Sequence, residues 1–163
     1  MKYHLANVSV SKDKDIEYRL KKEDLVLWIN LINKELGTEK ISEPRLTISL
    51  RLVSIKEMKK LNSTFLGVDK ATNVLSFAPD LNGKDEEDNL MGDIAICIDV
   101  LKKEAKLQNK KIDNHFAHLF IHGALHLLGY FHDSKKDARL MEKLEKKVLN
   151  KIGIADPYQI ELR

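Results

Sequence analysis

The chain has 163 residues, 43% hydrophobic and 33% charged, with seven Gly, three Pro and a single Cys. That is the length of one domain with a sizeable hydrophobic core, and it excludes collagen-like, wholly disordered and disulfide-stapled classes. The formal charge of +3 is too mild to name a partner, although residues 101–163 carry 13 Lys/Arg against 8 Asp/Glu, a bias that tolerates an anionic substrate.

Leu5, Val8 and Val10 suggest a first strand over residues 3–10, followed by a charged loop through Asp15. Leu25, Trp28, Ile29, Ile32 and Leu36 recur at three- and four-residue steps before Gly37, which predicts an amphipathic helix over 22–36 with a left-handed C-terminus. Residues 45–53 alternate Leu46, Ile48, Leu50 and Leu52 with polar residues, the pattern of a half-buried strand. Ser54 and Glu57 stand in capping-box spacing before a short helix with Met58 and Leu61, which Gly67 ends.

A strand is expected at 73–78, then a loop over 79–89 with Gly83 and the acidic run Asp85 to Asp88. Residues 92–100 read as a buried strand, with Cys97 a buried strand residue and Asp99 the N-cap of a helix reaching about Gln108. The next helix begins near Asp113 and stops at Gly129. Ser134 and Asp137 cap a last helix whose apolar face includes Leu140, Met141, Leu144, Val148 and Leu149. No apolar run reaches the roughly 18 residues needed to cross a bilayer, and the N-terminus lacks a secretory h-region, so a cytoplasmic protein without a membrane span is expected. No linker divides the chain, so 1–163 reads as a single domain.

Four of the six histidines, His115, His118, His122 and His126, fall on one predicted helix, and His132 follows its glycine stop. His122 and His126 lie four residues apart and project from successive turns of one face. Gly129 can take positive φ and reverse the chain, returning His132 toward the pair. The pattern HxxxHxxGxxH matches the metzincin ligand spacing, but Gly123 occupies the position of the metzincin general base. Three imidazoles leave a fourth position open, as in a catalytic zinc site, although nickel, cobalt or iron would also fit the ligands. Asp133 and Asp93 are the candidate proton acceptors, against simpler roles as a helix-terminus carboxylate and a turn residue. His115 and His118 belong to no second motif, so surface or packing roles are favoured for them, with His118 a minor contender for the same metal-facing side.

The stretch HGALHLLGYFH (122–132) resembles the HGxLHLxGYDH signature of the YbeY family of bacterial endoribonucleases. LNSTFLGVDKATNVLSF (61–77) is similar to that family's LNxxYRGxDxxTNVLSF segment, MGDIAIC (91–97) to its LGDIxIC strand, and Met141, Glu142 and Glu145 to the helix after the metal motif. The resemblance implies a compact α+β domain with a mixed, mostly parallel sheet packed on helices, and a zincin-like helix bearing the histidines. It also implies one Zn2+ held by His122, His126 and His132, and cleavage of single-stranded RNA in maturation of the small-subunit rRNA 3′ end and in ribosome quality control. The small ribosomal subunit and its proteins are then expected partners.

Two positions depart from the family pattern. Leu66 stands where the family has an arginine, and Phe131 where it has an aspartate. An arginine would clamp phosphate or stabilise a transition state, and Lys70 or Arg51 are its possible substitutes. Thr72, Asn73, Ser76 and Lys70 are candidate substrate contacts, with turn and strand-pairing roles the alternative for Thr72 and Asn73. Tyr130 and Phe131 could stack a base or pack beneath the loop. Two other functions compete with the nuclease: an assembly or RNA-binding factor with a structural metal, favoured by Leu66, and a metallopeptidase, disfavoured by Gly123.

Overall fold

The computed structural model describes residues 7–37, 47–78 and 90–158. The beginning of the first expected strand, Arg45 and Leu46, and the acidic loop over 79–89 lie outside the described residues. Among the described residues, four strands, β1 (Asn7–Lys12), β2 (Thr47–Val53), β3 (Val74–Phe77) and β4 (Leu90–Cys97), form one sheet in the order β1-β2-β4-β3. β1, β2 and β4 run parallel and β3 pairs antiparallel on the edge, so the sheet is mixed and mostly parallel, as expected.

Among the described residues five helices surround it: α1 (Lys22–Leu36), α2 (Ile55–Leu66), α3 (Ile98–Leu107), α4 (Ile112–Leu127) and α5 (Lys135–Lys151). Strand alternation divides their packing between two faces. Ile48, Leu50, Leu52, Ile94 and Ile96 face the main core with Leu25, Ile29 and Ile32 of α1, Phe116 and Phe120 of α4, and Val148 of α5. Val53, Leu75, Ala95 and Cys97 turn the other way and meet Met58 of α2. Cys97 is thus a packing residue whose thiol burial pushes to a higher pKa, away from nucleophile chemistry.

The helix ends follow local chemistry. Gly37 (φ 69°) and Gly67 (φ 70°) close α1 and α2 in the left-handed region. Ser54 Oγ accepts from the Glu57 backbone N–H at 3.2 Å, but the Glu57 carboxylate accepts from Arg51 instead of returning to the cap. The Ser54 N–H donates to Asp13, which also takes two hydrogen bonds from Arg51. Arg51 therefore ties β2 to the loop after β1 and to α2. Ser134 Oγ accepts from the Asp137 N–H at 3.1 Å and caps α5.

Three expectations need correction. β4 ends at Cys97 rather than at residue 100, and Cys97 is the N-cap of α3, so Asp99 lies inside the first turn. There its charge meets the helix dipole without capping it. α4 starts at Ile112, one residue before the expected Asp113, and its N-cap Lys111 has no capping side chain. Leu140 is 49% exposed, because α5 buries the narrower stripe Met141, Leu144, Glu145, Val148 and Leu149.

Gly92 fixes the spacing between β4 and the end of α4. Its φ is +143°, and an added Cβ would stand 2.4 Å from the Phe77 carbonyl and 2.6 Å from Leu127 Cδ2. The carbonyl belongs to a paired strand and cannot move aside. Gly92→Ala is expected to cost about 2–4 kcal/mol from left-handed strain together with overpacking. Urea unfolding compared with wild type measures that loss, and a change below 1 kcal/mol would contradict the close approach.

Candidate metal centre

α4 is buried almost all round, from His115 to Ile121 and from Gly123 to Leu125, so it passes through the core rather than along the surface. Phe116 and Phe120 anchor it against Trp28, with ring centroids 6.3 and 5.9 Å apart, and Tyr18 stacks on Phe116 at 4.9 Å. At its C-terminus the helix leaves the core, and His122 and His126 become half-buried. Gly129 (φ 93°) reverses the chain. Its N–H donates to the His126 carbonyl and the Tyr130 N–H to the Leu125 carbonyl, both at 3.0 Å, which is the hydrogen-bond pattern of a Schellman end.

The reversal returns His132 to the helix, as the glycine spacing led one to expect. Its ring lies 5.6 Å from that of His122 and 5.1 Å from that of His126, and those two are 4.5 Å apart. One ring nitrogen from each of His122, His126 and His132 lies within 4.8 Å of the others. These three imidazoles form a group that could hold a metal ion.

The hydrogen bonds on the opposite ring edges test that assignment. His122 Nδ1 donates to Glu145 Oε1 at 2.6 Å, and His126 Nδ1 donates to the Tyr130 carbonyl at 2.8 Å. In the neutral rings both Nε2 atoms therefore carry lone pairs, yet they face each other at 2.9 Å. Two opposed lone pairs repel unless a cation lies between them. A tetrahedral zinc with bonds of about 2.0–2.1 Å separates two ligand nitrogens by about 3.3 Å, so a shift of a few tenths of an ångström accommodates one. Burial, followed by the charge of His122, lowers the His126 pKa and favours the neutral, ligating form.

Glu145 of α5 organises this centre from behind. Its side chain is fully buried, and its Oε2 accepts from His118 Nε2 at 2.8 Å and from the Tyr158 hydroxyl. Burial alone would raise the carboxyl pKa, but hydrogen bonds from His118 and His122 and their charges prevail and hold it at about 2. A carboxylate on the far ring nitrogen of a ligand histidine fixes its tautomer and strengthens it as a donor to metal. His118 is thus buried behind the histidine cup, as a packing role allows, and with His122 and Glu145 it forms a second group whose ligand atoms lie within 4.8 Å of one another. His115 is likewise buried, its Nε2 donating to Glu104 at 3.1 Å, and burial, outweighing that bond, lowers its pKa.

The other candidate residues are dispersed. Asn73 gives its amide hydrogens to Glu104 at 3.0 and 3.3 Å and accepts from the Val74 N–H, so its polar atoms already serve the entry to β3. Ser76 Oγ donates to the Gly123 carbonyl at 3.0 Å and ties β3 to α4. A Cβ at Gly123 would meet Ser76 Oγ at 3.0 Å and Ile94 at 3.3 Å, which leaves no room there for the glutamate of a metzincin. Thr72 is half-buried, and Lys70 is exposed. Asp93 and Asp133 are both exposed, and neither belongs to a described metal-competent group. Leu66 is 61% exposed at the end of α2, and Arg51, held by Asp13 and Glu57, does not stand in for an arginine there. Phe131 is exposed with its ring 5.7 Å from that of His126, whereas Tyr130 packs against the main core.

Sequence reasoning gave His118 a surface or packing role without its bond to Glu145, and it did not find Tyr158 or the orienting role of Glu145. A signal existed in the histidine stripe at 115, 118, 122 and 126, which has more members on one helix than one ion needs.

Comparison with known proteins accords with this geometry. The family model described as Endoribonuclease YbeY matches residues 9–153. A relative named Endoribonuclease YbeY from Colwellia psychrerythraea is 44% identical, over 84% of this chain and 86% of its own length. A second of the same name, from Francisella tularensis subsp. holarctica, is 38% identical over 96% and 93%. Among solved structures, a Thermotoga maritima protein determined in solution shares the fold, with a TM-score of 0.52 and 24% identity, over 94% of this chain and 99% of its own.

Proposed function

The chain belongs to the YbeY family of endoribonucleases, and on that premise we propose that it is a zinc-dependent, single-strand-specific endoribonuclease of rRNA maturation. The opposed Nε2 atoms of His122 and His126, 2.9 Å apart beside His132, carry the reading. They form a three-nitrogen cup whose protons are all committed on the far side for the two helical rings. His122, His126 and His132 would hold the ion, with Glu145 and the Tyr130 carbonyl fixing the rings of the first two. When bound, zinc supplies an acidified water and polarises a phosphoryl oxygen.

The chain's own contribution is orientation and proton handling. Asp133, exposed and next to His132 in the chain, is one candidate to take a proton, and Asp93 on β4 is the other. The RNA 2′-hydroxyl is an alternative nucleophile. Lys70 and Thr72 are left to meet phosphate or sugar, since Asn73 and Ser76 are bound within the fold. His132 and Phe131 are exposed, so the centre opens outward and an RNA strand can approach it. The proposed setting is the cytoplasm, on the small ribosomal subunit, at the 3′ end of its rRNA and in ribosome quality control. Among the described residues no helix is long and apolar enough to cross a membrane.

A second reading, an assembly factor with a structural metal, rests on Leu66, which leaves that position without a guanidinium. Cleavage of a single-stranded RNA carrying the small-subunit rRNA 3′ end decides between them. Wild type is expected to cut it, chelator to stop the reaction, and His126→Ala purified in parallel to show no cleavage. Equal rates for the two folded proteins would overturn the nuclease reading.

A further inference from the structure

Tyr158 lies beyond α5, in the short segment Ile154 to Tyr158 that no part of the proposed reaction uses. The segment is built in at several points. The Ile154 N–H donates to the Leu149 carbonyl at 2.9 Å, and the Tyr158 N–H donates to Asp156 Oδ1 at 2.8 Å. Lys110, from the α3–α4 connection, donates to the Pro157 carbonyl at 2.9 Å, and Lys146 of α5 pairs with Asp156 at 3.4 Å. So fastened, the segment borders a cavity also lined by Glu104, His115 and His118, and Tyr158, 37% exposed, reaches inward with its hydroxyl end. The ring meets His118 edge-on, with centroids 5.3 Å apart and planes at 85°.

The hydroxyl ends on Glu145 Oε2, the oxygen that also accepts from His118, while Oε1 accepts from His122. A buried carboxylate keeps one orientation only if its lone pairs are satisfied on both oxygens. His118 and Tyr158 hold one oxygen and so aim the other at His122 Nδ1. Burial, then the neighbouring Glu145 charge, pushes the Tyr158 hydroxyl well up in pKa, so it keeps the proton it donates.

We propose that Tyr158 is a positioning residue for the metal centre, acting through Glu145 to hold His122 in the tautomer that presents Nε2 to the ion. The inference rests on the zinc reading above and extends it to a segment outside the histidine motif. It gives the end of the fold a role in metal affinity that neither the motif nor its spacing contains.

The test uses the whole protein with zinc as the probe. Zinc dissociation constants are measured by competition with a chromophoric chelator for wild type and Tyr158→Phe, together with imidazole nitrogen spectra of the metal-free proteins. Tyr158→Phe is expected to weaken zinc binding by about tenfold, the low end of what removal of outer-shell partners costs. It is also expected to shift His122 away from a pure Nδ1–H tautomer. Unchanged affinity would overturn the proposal while leaving the zinc reading intact. Weakened affinity with an unchanged His122 tautomer would make Tyr158 a general stabiliser and overturn it too. Failure of wild type itself to bind zinc would overturn the zinc reading, and this inference with it.

Discussion

Zinc at about a thousand times its dissociation constant is expected to raise the melting temperature of this protein by roughly 8–16 °C, and His126→Ala is expected to erase the rise. A ligand bound only by the native state contributes about 4 kcal/mol at that excess, and in a domain of this size each kcal/mol moves the midpoint by about 2–4 °C. The three nitrogens come together only when α4, its Schellman end and the loop to His132 are all formed, so the unfolded chain offers no comparable site. Removing His126 deletes one ligand and the partner that faces His122 Nε2 at 2.9 Å. Proton competition sets the pH range. Burial keeps the His126 pKa below its ordinary 6.5, so this ring stays available to metal at neutral pH and loses it to protons only under acid conditions. Differential scanning calorimetry with and without zinc at pH 7.5 measures the effect. A rise that survives in His126→Ala would place the ion elsewhere.

The second large effect belongs to Glu145. Its folded pKa of about 2 lies below the usual 4.5, so the carboxylate contributes stability that is present above about pH 4.5 and lost as pH falls through about 2. The shift corresponds to on the order of 3 kcal/mol. Glu145→Gln keeps the shape but turns an acceptor into a donor opposite His118, His122 or Tyr158, all of which donate to this group. With zinc chelated, the variant is expected to be less stable than wild type by on the order of 3 kcal/mol near neutral pH, with the gap closing as the pH approaches 2. Urea unfolding at pH 6.5 and at pH 2.5 gives both quantities. A gap of equal size at the two values would show that the carboxylate's charge is not what stabilises the fold.

Much of this molecule is legible from its string of residues, and the legible parts share one physical property. The stripe Leu25, Ile29, Ile32, the alternation Ile48, Leu50, Leu52, and the caps Ser54 and Ser134 with their glycine counterparts at 37, 67 and 129 all depend on neighbours within a few residues. His122 and His126, the pair that could hold a metal, are one helical turn apart, and a single glycine returns His132, so the three-histidine group is also local. Where local signals compete, the reading slips. Asp99 looks like a cap, but β4 ends at Cys97 and passes directly into helix, and Leu140 continues the apolar pattern of α5 yet faces outward.

What only the tertiary structure decided are the polar pairings between elements. Arg51 could be read as a substitute phosphate clamp until Asp13 and Glu57 are seen to hold it, and Asn73 as a substrate contact until Glu104 takes its amide. Glu145 stands 23 residues from His122 and 13 from Tyr158, separations at which no periodicity links them. They meet because α5 packs against α4 and because a buried carboxylate needs donors on both oxygens. The sequence by itself therefore determined which side chains are the candidate metal ligands. The fold decided how firmly they are aimed, since aim comes from desolvated hydrogen bonds between helices, and those exist only after the core has closed.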